Sequence, residues 1–330
     1  MDPSETIAEI AQAHGGPCAL DRVHLPYAHS SSGPAAKFGL GCQLFLTDTD
    51  PASLRERSLQ VLGDYYRLFP ARVGEFLPED HRRTVKFKGD PTERIRADSR
   101  KFPFDRGYST SLFGAVDIGL PKDDVPPYQA HMLAVEAQSG ELSFVSATMP
   151  VGDDAGEPNF RILLPAVLRW CELARPVHGS AGFTFIFASG MSQNTVYALP
   201  LMKRFPGFDV HNGVDFISRA DGTHNRLKCI NWLTVLCDDL VAELGGVERM
   251  RHALAPACTI HGYAGGVMIQ AGEEPRLGDS QRGDVPEPYR MVARYTKPVR
   301  FENYVKYGLF RVANGLDRVA ETLAWIRRFD

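Results

Sequence analysis

Two histidines sit in matching surroundings. His178 and His261 each precede a glycine and an apolar run, in Pro176-Val177-His178-Gly179-Ser180-Ala181-Gly182 and Thr259-Ile260-His261-Gly262-Tyr263-Ala264-Gly265. If the two segments stack, the imidazoles can act as metal ligands or as an acid and base pair; the same placement suits rings that satisfy backbone groups at strand ends. Asp123 and Asp124, with Asp153, Asp154 and Glu157, form a second group of interest. Paired carboxylates hold Mg²⁺ or divide acid and base roles in hydrolysis, although solvated loops flanked by Gly and Pro carry the same residues. The third group is basic: Arg82, Arg83, Lys86, Lys88, Arg94, Arg96, Arg100, Lys101 and Arg106, interleaved with Phe87, Phe102 and Phe104. That mixture suits a phosphate backbone with stacked bases, or, with four acids interspersed, a solvated face.

The familiar catalytic signatures do not occur. There is no GxGxxG or GxxxxGK[ST] turn to cradle phosphate, no GxSxG elbow and no HExxH pair. The cysteines at 18, 42, 171, 229, 237 and 258 lack the two-residue spacing of a zinc knuckle or redox pair and read as reduced, mostly buried thiols. Trp170, Trp232 and Trp325 lie on apolar faces and read as core.

The elements that would position these groups follow from periodicity. Residues 4–14 read as a short helix with a local role, and 38–47 as a strand. Asp50 caps a helix with Pro51 at its first position and Leu54, Leu59, Leu62, Tyr65 and Tyr66 as its stripe. Residues 84–88 and 111–118 are short candidate strands. Residues 130–137 and 142–149 form an antiparallel pair around Gln138-Ser139-Gly140-Glu141, and Glu157-Pro158-Asn159 opens a helical stretch that either kinks at Pro165 or has its main body begin there with Pro at the first position. The second half repeats the theme: strand 182–188, helix 195–204, strand 229–236, acidic helix 238–244 ended by Gly245-Gly246, and paired strands at 259–261 and 265–271. Helices near 286–295 and 316–329 close the chain. Arg67-Leu68-Phe69-Pro70 and Lys203-Arg204-Phe205-Pro206 echo one another at helix ends. The expected fold is α+β, a mixed, largely antiparallel sheet with packed helices. An N-terminal segment (1–35) precedes one body (36–330), with similar halves at 36–176 and 177–330 as the alternative division.

The chain has 330 residues, 44% of them hydrophobic and 23% charged, with 37 Lys and Arg against 40 Asp and Glu. A net charge of −3 gives no general attraction to nucleic acid or anionic membrane. No apolar run approaches the ~20 residues of a membrane helix, and Met1-Asp2-Pro3-Ser4-Glu5 carries no secretory pattern, so a soluble cytoplasmic protein is expected.

One resemblance joins these segments. Arg175-Pro176-Val177-His178-Gly179-Ser180-Ala181-Gly182, Ile230-Asn231-Trp232-Leu233-Thr234, Gly265-Gly266-Val267-Met268-Ile269-Gln270-Ala271-Gly272, and Trp325 with the closing Arg328-Phe329-Asp330 resemble, in order, the type VI secretion immunity protein family. The resemblance covers roughly residues 36–330. It implies a cytoplasmic protein that binds and neutralises an antibacterial effector toxin, such as a nuclease, by direct occlusion, with no catalysis, cofactor, metal or direct nucleic-acid binding. Acidic loops would then steer a basic toxin and fill its phosphate channel. Glu273, Glu274, Asp279, Asp284 and Glu287 lead the candidates, because the loop at 272–287 looks too polar and Gly-rich to bury. Asp153, Asp154 and Glu157 come next, followed by Asp123, Asp124, Asp238, Asp239 and Glu243. Trp232 and Gly266 read as structural. The alternatives are a metal-assisted hydrolase using His178 and His261, and a nucleic-acid module using residues 82–106.

Overall fold

The computed structural model describes residues 3–12, 16–26, 33–114, 124–135, 142–188, 191–219, 226–304 and 307–330. Its strands are β1 (His24–Pro26), β2 (Pro34–Leu46), β3 (Val73–Leu77), β4 (Val85–Lys86), β5 (Tyr108–Gly114), β6 (Gln129–Ala134), β7 (Ser143–Met149), β8 (His178–Ile186), β9 (Asp209–Val210), β10 (Leu233–Cys237), β11 (Cys258–Tyr263) and β12 (Gly266–Ala271). They form one 12-stranded sheet in the order β11-β12-β10-β8-β2-β7-β6-β5-β3-β4, with β1 against β2 and β9 against β8. Every pairing is antiparallel except the parallel contact of β9 with β8. The helices are α1 (Pro3–Gln12), α2 (Pro51–Leu68), α3 (Thr92–Ser99), α4 (Phe160–Ala174), α5 (Thr195–Arg204), α6 (Gly213–Arg219), α7 (Asp238–Glu243), α8 (Val247–Leu254), α9 (Glu287–Thr296) and α10 (Arg318–Ile326). The α+β expectation holds.

Ladder partners share a face of the sheet, so the registers sort the side chains. Cys42 pairs with Ala147 and Ala181, Leu44 with Val145, and Ala130 with Ala147. These apolar residues form the face on which α2 and α4 pack. The stripe Leu54, Leu59, Leu62, Tyr65 and Tyr66 is buried there as expected, and Asp50 caps α2 by accepting the Ala52 N–H at 3.0 Å. Polar anchors fix the layer: Tyr65 donates to the Thr148 carbonyl at 2.7 Å, and Trp170 Nε1 donates to Asp64 at 2.9 Å. Arg55 is buried beside α3 and donates to the carbonyls of Ser99, Phe102, Pro103 and Arg106, holding that turn closed.

Several boundaries differ from the sequence reading. The strand expected at 229–236 starts only at Leu233, because the Asn231 carboxamide accepts the Trp232 N–H and Thr234 Oγ1 accepts that of Asn231, turning the backbone away from a ladder. α4 runs through Pro165. Pro165 forgoes the one bond an N–H would make to the Arg161 carbonyl, and the helix continues past it to Ala174. The hairpin at 130–149 is present as β6 and β7, while its loop and Asp123 lie outside the described residues. α1 is not merely local: Arg204 of α5 reaches Ser4 and Glu5 at 3.3 and 2.6 Å. α3, α6, α8 and β3 have no counterpart in the sequence reading.

The opposite face of the sheet carries charge. Asp209 and Lys228 are both buried, 3.6 Å apart. Asp209 accepts from Ser180 Oγ at 2.7 Å and the Val210 N–H at 2.6 Å, while Lys228 Nζ donates to the Val210 carbonyl at 2.7 Å and Gln43 Oε1 at 3.2 Å. Burial alone would raise the Asp209 carboxyl, but Lys228, then His211 and Arg328, outweigh it and hold it at about 2. Removing one partner strands the other charge. Lys228→Met is expected to cost about 3–5 kcal/mol in urea unfolding, and adding Asp209→Asn to recover most of it, since the desolvated charge then disappears. Equal stability of Lys228→Met and the parent would contradict the pairing.

Candidate functional site

The registers place one polar side chain per strand in a line across that second face. Ser180 of β8 pairs with Gln43 of β2, Gln43 with Ser146 of β7, Ser146 with His131 of β6, and His131 with Ser111 of β5. Five strands thus contribute Ser180, Gln43, Ser146, His131 and Ser111. α6 divides the row. A Cβ on its first residue, Gly213, would lie 2.8 Å from Gln43 Nε2 and 2.9 Å from Phe144, so the helix start rests directly on the sheet. On one side of it lies the sealed Asp209–Lys228 network. On the other, Ser146, His131 and Ser111 line a cleft of about 610 Å³ whose further walls come from residues 77–81, 185–188 and 210–215.

Three histidines face this layer. His178 packs against Phe45 and Phe216 with ring centroids 4.6 and 5.7 Å away, and neither ring nitrogen has a partner. Burial, then the nearby Lys228 charge, lowers its pKa to about 3. His211 lies over Gly41, where an added Cβ would come within 2.3 Å of its ring, and both its nitrogens are likewise unpartnered. Burial lowers it to about 4, with Asp209 opposing and Lys228 adding to the shift. His131 Nδ1 lies 2.7 Å from Ser111 Oγ, and burial lowers it to about 4. All three imidazoles are neutral near pH 7.

The sequence-derived groups are distributed differently from the hydrolase alternative. His178 and His261 do not meet: their strands are separated by β10 and β12, three ladder steps of about 4.8 Å each, and His261 Nε2 is 2.8 Å from Gln270 Oε1. Among the described residues no group of three or more His, Cys, Asp or Glu is arranged to hold a metal ion, and all six cysteines are free thiols. In the basic stretch, Arg96 pairs with Glu56 and Glu93, Lys101 with Asp98, and Arg106 with Asp80. Phe87 and Phe102 pack against Tyr66 and Tyr108, leaving Phe104 as the exposed ring.

β7, β8 and β12 run in the same direction, so the loops that follow β7 and β12 leave one end of the sheet. Those loops carry the leading acidic candidates. A short 3₁₀ turn, Pro17–Arg22, sits between them: Asp21 accepts the N–H groups of Val151 and Gly152 at 2.7 Å each, while Pro17 and Leu20 face Glu273 and Glu274 across a hollow of about 510 Å³. Glu273 and Glu274 are exposed and have no ion pair among the described residues. The other candidates in these loops are engaged. Asp279 is only 4% exposed, caps the turn Ser280–Arg282 and lies 3.3 Å from Arg204, so this part of the loop is buried against expectation. Asp284 pairs with Arg276 at 3.2 Å, Glu287 with Arg294 at 2.5 Å, Glu157 with Arg161 at 3.0 Å, and Asp154 with Arg72. Asp153 accepts the N–H groups of Ala155 and Glu157. Asp124 pairs with Lys37 at 2.7 Å and Glu243 with Arg226 at 2.8 Å; Asp238 and Asp239, in the first turn of α7, are exposed and, like Glu273 and Glu274, have no ion pair among the described residues.

The residues carrying the family resemblance are structural. Trp232 Nε1 donates to the Gly272 carbonyl at 3.1 Å, and a Cβ at Gly266 would meet the Leu236 carbonyl at 2.1 Å. Arg328 lies between the rings of Trp325 and Phe329, at 4.1 and 4.6 Å, and donates to the carbonyls of Pro206, Ile230 and Trp325. Asp330 pairs with Arg300 at 2.6 Å and Lys297 at 3.1 Å, and Arg300 holds its carboxyl near 2. Residues 328–330 are thus tied to the segments that precede β9 and β10 and to residues 297–300. What sequence reasoning missed is the polar row, because its members lie on five separate strands.

Residues 59–329 match a protein-family model described as TsiV, Type VI immunity for VRR-NUC. No curated protein matches the chain. Among solved structures, a Pseudomonas aeruginosa T6SS protein aligns with a TM-score of 0.80 over 100% of this chain and 92% of its own, at 19% identity, a likeness of fold.

The three neutral histidines have a consequence for stability. Each gains its proton only on unfolding, so between the ordinary value of 6.5 and about 4 the unfolded chain binds more protons and stability falls as pH drops. Each contributes about 1.4 kcal/mol per pH unit in that window. Urea unfolding across this range should show the combined slope, and His178→Phe should flatten it by about one third. A pH-independent midpoint would contradict the assignment.

Proposed function

The chain belongs to the TsiV family, type VI immunity for VRR-NUC, and on that premise we propose that it binds a cognate type VI effector carrying a VRR-NUC nuclease and neutralises it by direct occlusion. The observation that carries this reading is the family match over residues 59–329. The reading needs no turnover by this chain: inhibition comes from a preformed surface that holds the toxin away from its substrate. A nuclease reaches nucleic acid in the cytoplasm, and we place the encounter there. None of the described helices is long and apolar enough to cross a membrane.

Physical features support a rigid binder. A single sheet joins strands from His24 to Ala271, and Arg328 and Asp330 are pinned by several bonds each. Such a body loses little entropy on docking. The unpaired Glu273 and Glu274 provide negative charge, while a nucleic-acid enzyme must present positive charge to its substrate. In this reading the two carboxylates, with Asp153, Asp154, Glu157, Asp284 and Glu287 behind them, steer the effector toward that end of the sheet. Asp279 contributes by holding the loop.

A one-to-one complex with the effector is expected in light scattering. Glu273→Gln with Glu274→Gln should slow association about threefold at low ionic strength and leave dissociation unchanged, the difference shrinking as salt is added. An association rate indifferent to both substitutions and to salt would remove the steering role.

A further inference from the structure

The cleft beside α6 has the chemistry of a receptor. Asn212, 5% exposed, donates from Nδ2 to the Leu309 carbonyl at 3.0 Å, and its Oδ1 has no partner. His211 next to it keeps two unpartnered ring nitrogens. Buried polar groups without a partner are unfavourable, and a guest that supplies hydrogen bonds relieves them. The remaining lining adds the aromatic faces of Phe113, Phe144 and Phe187 and the carboxylates of Glu79, Asp80 and Asp215. No Lys or Arg among the described residues lines the cleft.

This combination selects the guest. Arg106 lies 3.8 Å from Glu79 and 2.7 Å from Asp80, and Glu79 also accepts the Ser109 N–H, so the wall carboxylates already hold one guanidinium from outside the cleft lining, and the same acidic rim favours a cation as guest. A carbonyl-type acceptor such as Asn212 Oδ1 favours a group rich in N–H donors, and aromatic faces favour a flat cation that stacks. Guanidinium meets all three demands, with five donors in a rigid plane and weak hydration. Val214, 52% exposed at the mouth on α6, offers apolar surface to the chain that carries it.

We propose that the cleft between α6 and the β5–β7 face is the anchoring pocket for the effector and that it takes an arginine side chain projecting from the effector surface. This rests on the immunity reading and adds to it a location and a chemistry. The acidic sheet end steers the approach, and the cleft sets the lifetime of the complex. Ser146 sits on its floor, partly exposed, in the centre of the polar row.

The test uses the full chain. Ser146→Arg places a guanidinium in the cleft and should weaken effector binding at least about 30-fold through faster dissociation, while Ala253→Arg, on the exposed side of α8 and outside the cleft lining, binds as the parent does. Thermal unfolding and circular dichroism of both variants verify the fold. In parallel, acetyl-arginine-methylamide is titrated into isotope-labelled protein, with acetyl-norleucine-methylamide as the uncharged probe; the His131 and His211 ring signals should shift saturably with the first only. Parent-like affinity of a folded Ser146→Arg variant overturns the cleft assignment and leaves the immunity reading standing. A parent protein that binds no VRR-NUC effector overturns the immunity reading; the titration then decides the cleft alone, with saturable shifts supporting it and unmoved signals overturning it.

Discussion

Lys228 has no water to reach. Its ammonium lies under the middle of the sheet, within 3.6 Å of a carboxylate that is equally sealed, and charges so placed persist only while every partner stays in position. The rest of that face is organised around this demand. Ser180, Gln43 and the Val210 carbonyl complete the bonding, His178 and His211 stay neutral beside it, and Arg328 brings the end of the chain across Trp325 to close the layer. On the other face α2 and α4 bring apolar contacts, anchored by the Tyr65 hydroxyl and by buried Asp64, which accepts from Trp170.

This asymmetry explains how one sheet serves a binding role. The apolar face and the charged plug together fix the strands, so the polar row continues at full order into the part that no plug covers. There the same residue types, Ser146, His131 and Ser111, open onto a cleft instead of a salt bridge. The loops at the sheet end follow the same economy. Most of their carboxylates are spent on intramolecular partners, and the pair left over, Glu273 and Glu274, is the part that can act at a distance.

Much of this architecture was legible in the sequence. Asp50-Pro51 announced α2 because cap and first turn are local chemistry, and β11–β12 followed from a glycine turn between apolar runs. The resemblance in residues 175–182, 230–234, 265–272 and 325–330 led to the family because those residues fix the fold itself: Trp232, Gly266 and Arg328 each make a close contact that another side chain would not reproduce. The acidic loops were found by composition, but composition could not separate Asp279, sunk against Arg204, from Glu273 in solvent. The polar row left no trace, since alignment across five strands is a property of register. The matched histidines misled for the same reason: sequence echo does not measure the two strands that stand between them.

The central claim is that this chain inhibits by occupying its toxin without changing it. The direct measurement is DNA cleavage by the cognate VRR-NUC effector titrated with the purified protein, followed by denaturing separation and refolding of the effector. The account predicts that cleavage stops at one equivalent, that the recovered effector has its original mass, and that its activity returns. Cleavage that continues at full rate with excess protein, or an effector recovered covalently altered at substoichiometric ratios, would contradict it.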